Sequence, residues 1–112
     1  MEFVPIRRRK LYNIYFNFVE PRDFLLKYGS VVTARRRRKV AYSNVQIVTG
    51  SYYNYRVLGV GYISFLCTFK TKEDLISYLG FSGFSTVDDW YKKISEGADC
   101  LYLVKLVEKK ND

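Results

Sequence analysis

Four arginines and a lysine stand in a row at Arg35, Arg36, Arg37, Arg38 and Lys39, and a second basic run, Arg7, Arg8, Arg9 and Lys10, lies upstream of them. The guanidinium is planar, always charged at neutral pH and carries its N–H donors in a fork that matches a phosphate. Runs of this kind grip phosphate backbone. Proton chemistry has fewer carriers. The chain has no histidine, and its two cysteines, Cys67 and Cys100, are far apart in sequence with no Cys-x-x-Cys pair. That excludes the common zinc arrangements, the Ser-His and Cys-His nucleophile schemes and any histidine base. No metal and no cofactor is expected. The cysteines read as half-buried thiols of a cytoplasmic protein.

Two further groups bear on the same chemistry. Tyr52, Tyr53 and Tyr55 sit close together around a turn, and aromatic faces stack on bases; alternatively they pack inward with wet hydroxyls. Ser30, Thr33 and Arg35 fall on one segment and would line a cleft for a base or phosphate, or else form a polar strand end. Glu73, Asp74, Asp88 and Asp89 sit at expected helix starts, where capping accounts for them. Trp90 and Tyr102 read as core.

The location of the charge narrows the partner. Residues 1–39 carry eleven basic and three acidic side chains, and residues 40–112 carry eight of each, so the whole excess of +8 lies in the first third. Arginine dominates there, eight to three lysines. A plain solvated surface mixes its signs, because concentrated like charge repels itself. Nucleic acid supplies the missing negative charge and adds counterion release. An acidic protein partner is the alternative. A membrane is not expected: no apolar stretch is long enough to span one, and no basic amphipathic helix is apparent.

The elements that must position these residues follow from patterning. Residues 1–9 read as a basic arm or edge strand interrupted by Pro5. Lys10–Val19 alternates aromatic and β-branched residues as a strand does. Arg22–Lys27 fits a short helix behind Pro21, closed by Gly29 in the left-handed cap. Ser30–Arg38 is a second strand that must leave the sheet near Arg36. Val31, Thr33 and Arg35 share one face of it and Val32, Ala34 and Arg36 the other. Val45–Val48 and Arg56–Phe69 are strands, and Gly59 and Gly61 mark a bend or close approach in the second. Helices capped by Thr71 and by Ser85 follow, then the strand Leu101–Val107. The order predicts an α+β fold, a small barrel of five to six strands with three short helices plugging it.

In this order and spacing the chain resembles the ASCH family of the PUA-like superfamily across residues 10–108, with 109–112 a polar tail. Phe24–Arg36 is similar to the family's helix, glycine turn and strand, with Thr33-Ala34-Arg35 as its Thr-x-Arg. Gly83-Phe84-Ser85 matches its Gly-Phe-Ser element, with an echo at Gly80-Phe81-Ser82, and Tyr102-Leu103-Val104 its closing strand. The resemblance implies a PUA-like β-barrel with a cleft beside the Thr-x-Arg strand and RNA or a nucleoside as ligand. Its acetylcytidine amidohydrolase branch places a Lys three residues before the Thr and a Glu before the second helix. Those places hold Ser30 and Ser82 here, so Thr33 has no lysine to activate it.

The expectation is a non-catalytic nucleic-acid-binding module, RNA before DNA. It would bind through Arg7, Arg8, Arg9, Lys10, Arg35, Arg36, Arg37, Arg38, Lys39, Tyr52, Tyr53 and Tyr55, with Ser30, Thr33 and Arg35 in the cleft. The alternatives are a metal-independent ribonuclease or nucleoside hydrolase of the ASCH family, with Lys27 or Tyr28 near the reacting group, and a basic protein-interaction module.

Overall fold

A mixed five-stranded sheet carries the molecule, its strands ordered β1-β3-β4-β5-β2. The computed structural model describes residues 11–110, so the basic run Arg7–Lys10 and the arm at 1–9 lie outside the described residues. In chain order the elements are β1 (Tyr12–Tyr15), α1 (Val19–Tyr28), β2 (Ser30–Arg35), β3 (Tyr42–Gly50), β4 (Tyr55–Thr68), a 3₁₀ helix (Lys72–Phe81), α2 (Val87–Lys92) and β5 (Cys100–Lys109). The sheet is antiparallel except where β1 runs parallel to β3.

The sheet is not closed. The expected barrel would join β1 to β2, but β1 has four residues and, among the described residues, β2 pairs only with β5, so both stand as edges of the described sheet. One face nonetheless curls around a single core of residues from all five strands, among them Ile14, Val31, Ile47, Ile63 and Tyr102, with Leu25 of α1. The second core lies across the sheet, where Val32 and Leu101 meet Leu75, Phe69 and Trp90 under the two C-terminal helical segments. The alternation along β2 divides these cores: Val31 enters the first and Val32 the second.

Local signals explain the element ends. Gly29 takes φ 85° and its N–H bonds the Leu25 carbonyl at 2.8 Å, closing α1. Pro21 falls in the first turn, where its missing N–H costs nothing. In β4 the register shifts at Val60/Gly61, and a Cβ on Gly61 would stand 2.7 Å from the Lys105 carbonyl, so only glycine lets β5 approach there. Asp74 accepts the N–H groups of Lys70 and Thr71 ahead of the 3₁₀ helix. The cap of α2 falls one residue later than expected: Thr86, not Ser85, accepts the Asp89 N–H at 3.1 Å. β5 runs on to Lys109, past the expected start of the polar tail. No helix among the described residues is long and apolar enough to cross a membrane.

Candidate nucleic-acid interface

The gap between these two edges forms a cleft of about 220 Å³. One wall is Tyr15–Phe18 at the end of β1, the other Val32–Arg35 of β2, and Phe84, Trp90 and Lys93 close the far side. Ladder alternation sets what the β2 wall presents. The Leu106 N–H donates to the Gly29 carbonyl, so Val31, Thr33 and Arg35 bond to β5, while the main-chain groups of Val32 and Ala34 point away from it toward the gap. On β1 the Phe16 N–H donates to the Val48 carbonyl, which leaves the Tyr15 carbonyl turned outward.

Arg35 spans the gap. Its Nη2 donates to the Tyr15 carbonyl at 2.7 Å, its Nε donates to Thr33 Oγ1 at 3.0 Å, and its guanidinium lies 4.8 Å from the centre of the Phe16 ring. Burial, reinforced by the charge of Arg38, pushes the guanidinium down to about 10, so it remains charged at neutral pH. It lines the cleft, and no carboxylate among the described residues pairs with it. Thr33 is buried with its hydroxyl already accepting from Arg35, which suits a fixed polar wall rather than a nucleophile.

The rest of the run divides by position. Arg36 is exposed and donates from Nε and Nη2 to the Glu96 carbonyl, at 3.1 and 2.9 Å. Arg37 is exposed with its guanidinium 5.6 Å from the Phe65 ring centre. Arg38 gives its main-chain N–H to the buried Tyr102 hydroxyl at 2.8 Å, and its Nε is buried without a partner among the described residues. Lys39 is exposed. The two ion pairs among the described residues, Lys72–Asp88 and Lys93–Glu20, use no arginine.

The far wall carries a second cation. Lys93 Nζ donates to Glu20 at 3.2 Å and sits 5.2 Å from the Phe18 and 5.8 Å from the Phe84 ring centre. The main-chain N–H at the start of α1 and the Lys93 ammonium hold the Glu20 carboxyl below its ordinary value. Phe84 stacks on Trp90, with ring centres 6.4 Å apart and planes 13° from parallel. Gly83 lets this segment press on α1, since a Cβ there would meet the Glu20 carbonyl oxygen at 2.5 Å.

The tyrosine hairpin adjoins the β1 wall. Asn17, which lines the cleft, accepts the Gly50 N–H and the Thr49 hydroxyl and donates to the Gly50 carbonyl. Tyr55 meets Tyr15 edge to face at 6.4 Å. Tyr52 and Tyr53 pack edge to face at 4.9 Å on the hairpin tip, 76% and 93% exposed. Tyr55 is 42% exposed.

Of the residues singled out by sequence, Thr33 and Arg35 line the cleft. Ser30 does not. It lies at the opposite end of β2 across from Lys105, on the other face from Thr33, because the two are three positions apart on the strand. Lys27 and Tyr28 stack at the C-terminal end of α1 and are not among the cleft-lining residues. Ser82 is buried, its hydroxyl donating to the Leu79 carbonyl and accepting the Phe84 N–H. Trp90 and Tyr102 are buried as expected. Sequence reasoning missed Asn17, Phe18 and Lys93 as cleft residues, and no local signal in the sequence marks them. Comparison of the chain with models of known families, with curated proteins and with solved structures found no match.

Proposed function

We propose that this chain is a non-catalytic nucleic-acid-binding module of ASCH-like, PUA-like character, with RNA as its preferred ligand. One observation carries the reading: none of the four arginines 35–38 meets a carboxylate among the described residues, and Arg35 lines the cleft while Arg36 and Arg37 stand exposed directly after it in the chain. Clustered unneutralised guanidinium groups repel one another unless an outside polyanion binds. The exposed tyrosines Tyr52, Tyr53 and Tyr55 add stacking faces beside the cleft, and the cleft walls offer main-chain groups, Asn17 and Arg35 to a base or phosphate. The preference for RNA comes from the family resemblance of Thr33-Ala34-Arg35 and Gly83-Phe84-Ser85.

A hydrolase reading has thinner support. Thr33 faces no base, and the cleft's one ammonium, Lys93, is held by Glu20. An acidic protein partner is an outcome of the same test. Binding of single-stranded RNA, duplex RNA and DNA is measured across a salt series. The expected result is affinity that falls steeply with salt, and a slope shallower by about two for the Arg36→Ala/Arg37→Ala double variant. Equal slopes in parent and variant remove these residues from the interface. No nucleic acid bound at low salt, together with capture of an acidic polypeptide, replaces the reading with a protein-interaction one.

A further inference from the structure

Arg36 differs from its neighbours in how it is held. Its Nε and Nη2 both donate to one acceptor, the Glu96 main-chain carbonyl. The guanidinium also lies against Gly97, where a Cβ would stand 3.0 Å from Nε and 3.3 Å from Cζ and Nη2. Gly97 has φ 86° and sits inside the turn that the Ala98 N–H closes onto the Ser95 carbonyl at 3.0 Å. The turn therefore presents the carbonyl and clears the space in which the guanidinium rests. A guanidinium has five N–H donors. Two are engaged here, and the three that remain, both on Nη1 and one on Nη2, have no acceptor among the described residues, on a side chain that is exposed.

We propose that Arg36 is a pre-oriented phosphate fork, its inner edge fixed by the Glu96 carbonyl and Gly97 so that its outer Nη1–Nη2 edge grips one phosphodiester group in two parallel hydrogen bonds, with Gly97 as a positioning residue. This deepens the nucleic-acid reading and rests on it. A free arginine gives up side-chain entropy when it binds; one already held gives up less, so the gain in affinity comes from pre-organisation rather than from added charge. Arg37 is the internal comparison. It carries the same charge one residue away, and its guanidinium rests on the face of Phe65 with no hydrogen-bond partner among the described residues.

The test sets charge against fork geometry. Arg36→Lys and Arg37→Lys keep the net charge, and single-stranded RNA binding is measured at one fixed salt concentration. The expected result is an affinity loss of about tenfold for Arg36→Lys and less than about twofold for Arg37→Lys. Gly97→Asn retains a residue that tolerates positive φ while placing a Cβ against the guanidinium; it is expected to weaken binding about as much as Arg36→Lys does. In the free parent protein the Arg36 Nε–H is expected as a resolved, slowly exchanging resonance, and inorganic pyrophosphate is expected to shift it.

Equal small losses for both lysine variants, with binding to RNA intact, overturn the fork and leave the wider reading standing. A pyrophosphate-dependent Arg36 shift in a protein that binds no nucleic acid preserves the fork and overturns the wider reading. If neither pyrophosphate nor RNA moves the Arg36 resonance, the fork is refuted directly. Thermal unfolding of Gly97→Asn separates a lost fork from a lost fold, and Arg36→Lys, which alters no main-chain conformation, decides the matter if that variant unfolds.

Discussion

The cleft-lining Arg35 and the exposed Arg36 and Arg37 are adjacent residues of one arginine run, and their surroundings differ. Arg35 ends β2 with its side chain on the inner face, where it ties Tyr15 and Thr33 together and loses most of its water. Arg36 and Arg37 follow as the chain leaves the sheet, and both stay exposed. The same side chain, moved by one residue along the chain, becomes either a brace between two sheet edges or, in the function proposed above, a handle for an outside anion. A basic run read as one unit hides this division.

That contrast is open to direct attack. The largest effect is expected at the cleft-lining residue. Arg35→Ala strands the Tyr15 carbonyl and the Thr33 hydroxyl and empties the space beside Phe16, and a urea-unfolding experiment should report a loss of about 2–4 kcal/mol. Arg37→Ala should change stability by no more than about 0.5 kcal/mol in the same experiment. Similar values for the two would erase the distinction between brace and handle.

A second, smaller separation is expected at the hairpin. Tyr53→Ala should leave unfolding unchanged and weaken single-stranded RNA binding by about 1–3 kcal/mol if a base stacks there. Tyr102→Phe should do the reverse. It removes the acceptor of the Arg38 N–H and should lower stability by about 1 kcal/mol, with only an indirect effect on binding.

Finer still is the contrast between the thiols. Burial, with Asp99 adding to it, pushes the Cys100 thiol up, and its side chain is enclosed, whereas Cys67 is half-buried. A thiol reagent at mildly alkaline pH should label Cys67 first and Cys100 only on unfolding. The smallest effect is the acid response of the far wall. Glu20 titrates below its ordinary value in the folded protein, so the unfolded chain takes up the proton more readily. The stability it contributes is present above the unfolded value and fades as pH falls through the folded one. Glu20→Gln should flatten that part of a stability–pH profile measured between about pH 5 and 3.

Much of the fold was legible. Strand, helix, strand, strand, strand, helical segment, helix, strand is the observed order, because β-branched and aromatic alternation, Gly29 and the capping residues are local signals. Barrel closure was not, since it depends on whether two edges distant in sequence meet, and nothing in Tyr12–Tyr15 or Ser30–Arg35 encodes the missing partner. The register-dependent part of the site behaved likewise. Thr33 and Arg35 could be placed on one face by counting, and counting also separates Ser30 from them, although membership of one segment had grouped the three. Lys93 and Asn17 were illegible because they reach the cleft through α2 and the β1–α1 turn, whose docking is tertiary.

The sheet edges, unpaired among the described residues, carry one more consequence. Strand edges with free main-chain groups invite other strands to add on, and proteins commonly guard them with a charge set inward at the border. Arg35 occupies that border. A foreign strand entering between β1 and β2 would have to displace a guanidinium from the Tyr15 carbonyl and bury it with no counter-ion among the described residues, so the arginine that lines the cleft also bars it to a neighbouring polypeptide, and its loss should make the protein prone to self-association as well as less stable.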